Sequence, residues 1–568
     1  MAAAAPLTTA GTTAPAAARL TAAGTTGTAA RPAALQALAN ERFDVLVVGG
    51  GIVGAGALLD ATSRGLKAAL VEQSDIASGT SGRSSRLIHG GLRYLEQLHF
   101  GLVAEALAER SRLLRLAPHL VSLEPFLFPV YGIPIVHQAF YGAGIFLYDL
   151  LGSYKDGGFA RHLRPSSVID YAPQLNRKGL TGGIVYHDGV EDDARVALAV
   201  VRTAIELGAV AATRVWAEQP FVDKGRLAGA SVHDMTSGTS FEVRAKRVID
   251  ATGVWAARPE ERFSAIEGAE AFVPSRGSHI VIRRERLKAK GGVTLRIPGR
   301  VVFIIPWPGH WIIGTTDHAD GRPPERISAP NDDIDELLQT VNATMDVGLS
   351  REDIVGTYAG MRPLVGDPAG STVKASREHR VTADESGLVR ISGGKYTTYR
   401  VMARDVVDAS LGRGTAAARP SQTAELPLVG AAARADLDRL AVDLALHDGL
   451  DGLVARRLVD RHGTEAREVL ALAVELDLLR PLGPGIDQLE AEVAWAARRE
   501  LATTIDDVLA RRMRLVQELP DRGEAIAPRV AEILGRELGW DAARQGAEVV
   551  AYLEGARREY GVPWPTTR

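Results

Sequence analysis

Two rhythms of apolar and polar positions divide the chain. Phe43-Asp44-Val45-Leu46-Val47-Val48 reads as a buried β-strand, a helix follows from Gly54 to about Arg64, and a second strand runs from Lys67 to Glu72. That is a βαβ unit. Strand-like runs recur at Gly183–Tyr186, Arg247–Ala251, Val301–Ile305, Trp311–Gly314 and Leu388–Ser392, with a helical pattern over Asp193–Leu207. Beyond about Arg419 the strands stop. Residues 431–568 read as successive amphipathic helices, Arg and Glu on one face and Leu, Val and Ala on the other. The boundary falls near Pro420 to Leu428.

Phe126 to Tyr148 carries no Asp, Glu, Lys or Arg over 23 residues, long enough by count to span a bilayer. Pro129, Gly132, Pro134, His137 and Gln138 interrupt it, and each proline removes a helical N–H. The expectation is a buried or interfacial segment, with insertion into one leaflet as the alternative.

Composition narrows the chemistry. At ~150 residues per domain, 568 residues suggest roughly three or four domains. The chain has no cysteine, which excludes disulfides, cysteine nucleophiles, thiolate-held clusters and cysteine-type zinc sites. Redox chemistry must therefore come from a bound cofactor. A net charge of −3 argues against coating a nucleic acid. Residues 1–40 are mostly Ala, Thr, Gly and Pro, with Arg19 and Arg31 the only charged side chains, and read as a disordered tail. They lack the apolar core of a secretory signal and the arginine density of a transit peptide.

Gly49-Gly50-Gly51-Ile52-Val53-Gly54 fits G-x-G-x-x-G directly between a strand and a helix. Gly49 permits the tight turn, Gly51 lets a pyrophosphate approach the backbone, and Gly54 lets helix and strand pack closely. The helix N-terminus offers N–H groups to the phosphates. Glu72 ends the next strand 21 residues after Gly51, where an acid grips a ribose diol. The pattern points to an adenine dinucleotide. A polar stretch, Ser78–Ser85, follows. Asp250-Ala251-Thr252-Gly253 closes another strand, and Ser392-Gly393-Gly394 ends a further one before a helix from Lys395. Repeated returns to one ligand suit a flavoprotein better than a nicotinamide dehydrogenase.

These segments resemble the FAD-dependent glycerol-3-phosphate dehydrogenases. The resemblance rests on Ser78–Ser85 continuing into Arg86–Glu96, on Val190–Arg195, Ala251–Trp255, Gly277–His279 and Ile313–Asp317, and on Met361–Leu364, Ser376-Arg377 and Gly393–Arg400. It covers roughly residues 43–405, and Thr503–Arg512 in the tail is also family-like. Small departures are Val53, Val254, His318 and Tyr396, where the family often has other residues. The fold class implied is α/β: a Rossmann-like FAD-binding domain interleaved with an α+β substrate-binding domain, followed by an all-α C-terminal domain. The expected division is a disordered tail at 1–40, an FAD-binding domain at 41–112, 183–265 and 351–418, a substrate or cap domain at 113–182 and 266–350, and a helical domain at 425–568.

The implied substrate is a small alcohol bearing a phosphate dianion, which needs converging cations, preferably arginine. The resemblance places Arg93, Arg362, Arg377 and Lys395 near it, with Tyr94 a hydrogen-bond partner of substrate or flavin. Lys395 stands out because the chain has 57 Arg against 9 Lys, and a cation at a helix start expects an anion beside it. Alcohol oxidation needs a base, and His279 is the candidate, with His89 or a purely structural histidine as alternatives. The expected catalytic set is His279, Arg362 and Lys395. The expected cofactor set is Gly49, Gly51, Gly54, Glu72, Thr80, Ser81, Ser84, Ser85, His89, Gly91, Gly253, Gly394, Lys395 and Thr397. Thr397 and Thr398 could also cap the last helix, and Asp192-Asp193 reads as a helix start. No metal-ligand spacing is present.

The expected cofactor is FAD, the substrate glycerol 3-phosphate and the acceptor a quinone, in a cytoplasmic protein held peripherally on the inner face of the membrane. A homodimer is left open. The rival readings are a glycerol-3-phosphate oxidase using oxygen, a flavin amine or amino-acid oxidase, and a non-catalytic flavin-binding scaffold.

Overall fold

The computed structural model describes residues 31–91, 99–132, 145–153, 156, 158–257, 272–297, 300–365 and 379–563. It opens with helix α1 (Arg31–Asn40), then strand β1 (Val45–Val48), helix α2 (Ile52–Ser63) and strand β2 (Ala68–Glu72). Later segments complete this layer: α3 (Asp193–Glu206), β3 (Val210–Thr213), β4 (Val248–Asp250), β5 (His379–Ala383), β6 (Leu388–Gly393) and α4 (Tyr399–Leu411). The six strands lie in the order β5-β6-β4-β1-β2-β3, parallel except at the β5 edge. Every residue of β1 is buried, as a central parallel strand requires. α2 is almost wholly apolar and buried because it lies against both α3 and α4. The chain runs outward from β1 to β2 and β3, then crosses to β4 on the other side. The carboxyl end of β1 is therefore a topological switch point, where open α/β sheets bind ligands.

A second, largely antiparallel sheet of ten strands packs beside the first. Near one end of it Phe272–Arg283 pairs with His310–Gly314 on one side and Ile354–Val365 on the other. A small antiparallel sheet (Val215–Asp223, Arg226–Asp234, Thr239–Ala245) flanks the first sheet. From Arg434–Leu446 to Ala542–Tyr560 the chain is helical, and its core is continuous with that of the second sheet.

Three expectations need correction. The Gly183–Tyr186 run lies within Leu180–Glu191, which belongs to the second sheet and not to the cofactor layer expected from 183. Ile354–Val365 does likewise, although 351–418 was assigned to the cofactor layer. Apolar runs look alike in both sheets, so pattern alone does not say which sheet a strand joins. Residues 31–40, expected in the disordered tail, form α1. Leu38 is fully buried and Arg31 pairs with Asp234 at 2.6 Å. Residues 1–30 lie outside the described residues. Among the described residues no helix is long and apolar enough to cross a membrane. Phe126–Tyr131 ends a strand, Val121–Tyr131, with Phe126 and Leu127 fully buried.

Candidate active site

A cleft of about 500 Å³ opens at the carboxyl ends of β1, β4 and β6 and runs between the two sheets. At its first end lies the glycine turn. Gly49 has φ 106°, and a Cβ there would meet the Ala251 carbonyl oxygen at 2.7 Å. Gly49 and Gly51 line the cleft, whereas Gly54 lies beneath it, against the Gly49 carbonyl. Gly54, expected in the cofactor set, therefore serves the packing of α2 on the turn beneath the cleft wall. Ser81 Oγ accepts a hydrogen bond from Ile52 N at the start of α2 (2.9 Å). Glu72 accepts from Gly50 N at 2.6 Å and from Ser74 N at 2.7 Å. Burial pushes its carboxyl up, against the pull of these two N–H groups.

Thr80, Ser84 and Ser85 continue the wall, with Thr80 Oγ1 donating to the Met361 carbonyl at 2.6 Å. Gly253, Gly394, Lys395, His89 and Gly91 line it too. Thr397 does so as well, but neither it nor Thr398 caps a helix through its side chain. Thr397 Oγ1 instead accepts from His89 N at 3.3 Å. Asp192 caps α3 as expected, accepting from Arg195 N at 3.3 Å. These walls fit an adenine dinucleotide. The backbone is bare where a pyrophosphate must approach, a helix N-terminus faces it, and a carboxylate stands at the ribose position.

The other end carries the candidate chemistry. His279 is 2 % exposed, and its Nε2 lies 2.9 Å from Ser85 Oγ. Its ring stacks on Tyr358 at 4.6 Å and 9°. Burial, with Arg362 and Arg86 nearby, holds its pKa well below the ordinary imidazole value, so it is neutral. Its Nδ1 is buried and has no hydrogen-bond partner among the described residues. Arg362 reaches the same wall, with Nη2 3.0 Å from Thr315 Oγ1 and Nη1 3.4 Å from Asp317 Oδ1. Gly277 and Gly314 make room: a Cβ at Gly277 would strike the Arg362 guanidinium, and one at Gly314 the His279 ring.

The structure thus brings His279, Arg362 and Lys395 into one cleft with the glycine turn. Arg93, Tyr94 and Arg377 lie outside the described residues. Sequence reasoning missed Arg296 and Arg300, two further cleft cations, and Tyr358, which orients His279. Arg300 Nη1 donates to the Thr315 carbonyl at 3.0 Å. All three sit on strands of the second sheet, where only pairing reveals which face meets the cleft. Among the described residues no group of three or more His, Asp or Glu is placed to hold a metal.

Fold and cleft define a flavin-dependent oxidoreductase. The family model for FAD dependent oxidoreductases matches residues 44–400, and the model for the C-terminal domain of alpha-glycerophosphate oxidase matches residues 421–545. Glycerol-3-phosphate dehydrogenase 2 of Mycobacterium tuberculosis is 44% identical over 527 residues, covering 92% of this chain and 90% of the relative. The mitochondrial glycerol-3-phosphate dehydrogenase of Homo sapiens is 37% identical over 535 residues, covering 90% of this chain and 73% of the relative. The crystal structure of glycerol-3-phosphate dehydrogenase from Bacillus halodurans complexed with FAD superposes with a TM-score of 0.78 at 25% identity, covering 95% of this chain and 99% of that one. The chain belongs to the FAD-dependent glycerol-3-phosphate dehydrogenase family.

Proposed function

We propose that the protein oxidises sn-glycerol 3-phosphate to dihydroxyacetone phosphate and passes the electrons to a quinone. The observation that carries the first half is the convergence of a neutral, buried histidine and the cations Arg362 and Lys395 on the cleft that begins at the glycine turn. A bound FAD, held by the glycine turn and the 78–85 wall, would supply the hydride acceptor for C2 of the substrate. The protein's part is binding, orientation and proton transfer. Arg362 and Lys395 hold the phosphate dianion, with Arg93 and Arg377 as further ligands. His279 takes the C2 hydroxyl proton. Phosphate beside Arg362 cancels part of the positive field that depresses His279, so substrate itself raises the basicity of the ring.

Arg362→Ala tests the phosphate site. Loss of charged hydrogen bonds at about 1.5–3 kcal/mol each raises KM for glycerol 3-phosphate by about 10-fold to 100-fold, with FAD content unchanged. An unchanged KM removes Arg362 from the site.

The quinone reading is supported by the relatives being dehydrogenases and by an exposed apolar patch. Phe146, Leu150 and Phe159 are 59%, 59% and 56% exposed, and the two phenylalanine rings stack. The patch begins within the uncharged stretch, at Phe146, and continues past its end; residues 133–144 of the stretch, Phe140 among them, lie outside the described residues. We assign it to contact with the inner face of the cytoplasmic membrane. Phe146→Asp should reduce co-sedimentation with liposomes and quinone-reductase rate, leaving the rate with a soluble dye acceptor intact. Equal liposome binding by both proteins would remove the patch from the membrane contact. Peroxide formed in air in proportion to turnover would favour an oxidase instead.

A further inference from the structure

The polar loop that follows β2, residues 74–86, forms much of the cofactor wall, and it is held from two sides: by the cofactor layer, through Gly50, Ile52, Glu72 and Asp193, and by the C-terminal helices. Asp75 is fully buried. Its carboxylate accepts from Arg511 Nε at 2.5 Å, Arg512 Nη1 at 2.6 Å and Arg512 Nη2 at 2.9 Å. Both arginines belong to a π-helical turn, Asp507–Arg512, in the C-terminal domain. Arg514, two residues on, donates to the Gly82 carbonyl at 3.1 Å and to Asp192 at 2.7 Å, and pairs with Asp193. Asp193 in turn accepts from Ser84 N at 2.8 Å. Gln517 accepts from Arg86, and Glu559 pairs with Arg83 at 2.7 Å. Asp507 holds Arg214 at 2.7 Å, and Arg214 donates to Ser74 Oγ at 3.2 Å.

Tail side chains therefore grip the loop directly at Asp75, Gly82, Arg83 and Arg86, and reach Ser74 and Ser84 through Arg214 and Asp193. Thr80, Ser81, Ser84 and Ser85 between these points line the cleft, and Ser85 touches His279. A buried ionic contact adds little to stability over an apolar one of the same volume, but it fixes direction and register. Beyond Ile76 and Ala77, which are buried in the core of the cofactor layer, the loop from Ser78 to Arg86 is polar and takes its register from such contacts.

We propose that the C-terminal helical domain is a positioning element for FAD: Arg511, Arg512 and Arg514 hold the 74–86 loop in its cofactor-binding shape. They act through the loop and touch neither cofactor nor substrate. The proposal rests on the reading that residues 78–85 contact FAD.

The test measures FAD dissociation from diluted holoenzyme by the fluorescence of released flavin, for Arg512→Gln, Arg512→Lys, Ser81→Phe and Arg529→Gln. Arg529 forms a two-pronged ion pair with Glu490 (2.8 Å) away from the loop, less buried than that of Arg512, and reports the effect of losing a tail ion pair that does not touch the loop. In metal sites, loss of a partner that orients a binding group costs about 10–100-fold in affinity, and a loss of about 10-fold is expected here. Arg512→Gln should raise the FAD dissociation constant by that factor, while KM and kcat at saturating FAD stay within about 2-fold of the parent. Arg512→Lys keeps the charge but loses the fork. It should fold, and hydrogen exchange should quicken in the peptide spanning 74–86 but not in the one spanning 45–48. Arg529→Gln should leave FAD affinity unchanged. Arg512 variants that hold FAD as the parent does, or lose it only as far as Arg529→Gln does, overturn the proposal while leaving the loop contact intact if Ser81→Phe still weakens FAD. If Ser81→Phe also binds FAD normally, the reading of the loop falls and the proposal with it.

Discussion

Replacing His279 by Gln lowers kcat for glycerol 3-phosphate oxidation by about 10²–10⁴-fold, the range for loss of a positioned general base, with FAD content and KM little changed. Two features single out this ring. Its plane is fixed by Tyr358 and its Nε2 by Ser85, so its Nδ1 has one defined orientation. It is also neutral, because burial and two nearby arginines disfavour the imidazolium. The pH profile checks the second point. A base whose pKa is depressed in the free enzyme stays competent below pH 6.5, so kcat/KM should show no acid limb at an ordinary imidazole pKa that disappears in the Gln variant. Stability carries the same sign. The unfolded chain takes up a proton below about pH 6.5 that the buried ring refuses. The contribution of His279 to folding is therefore fully present above that pH and is lost as pH falls toward the depressed value. A wild-type kcat in His279→Gln would make the ring structural and shift attention to His89.

Gly54→Val should yield protein without bound flavin. The added Cβ would overlap the Gly49 carbonyl oxygen, a backbone atom of the turn that faces the cofactor. Backbone cannot swing aside as a flexible side chain can, so either α2 moves off the sheet or the turn opens. Overpacking of this kind costs about 1–3 kcal/mol before the loss of ligand is counted. The ratio of flavin to protein absorbance after purification, with a thermal melt, reads both effects. Stoichiometric FAD in the variant would show that close packing of α2 on the turn is not what shapes the site.

Much of the first half of the cleft was legible because it is local. Strand, glycine turn, helix and terminal Glu72 lie within thirty residues, and their spacing alone sets the geometry. The second half was legible only as motifs. Nothing near His279 says that Tyr358 stacks on it, since that contact depends on the pairing of Phe272–Arg283 with Ile354–Val365. Arg296 and Arg300 were invisible for the same reason, lost among 57 arginines until strand pairing gave them a face. Helix α1 was misread for a related cause. Ten residues are too short to order alone, and the helix is held by burial of Leu38 and by the Arg31 contacts to Asp234 and Thr213, about two hundred residues away. The family-like Thr503–Arg512 segment announced its importance without its target. Asp75 is more than four hundred residues earlier in the chain.

The most direct test of substrate and cofactor together is anaerobic titration of the purified holoenzyme. Glycerol 3-phosphate should bleach the oxidised flavin absorbance stoichiometrically, dihydroxyacetone phosphate should appear in equal amount, and glycine or other amino acids should leave the spectrum unchanged. Flavin that stays oxidised in excess glycerol 3-phosphate would contradict the account.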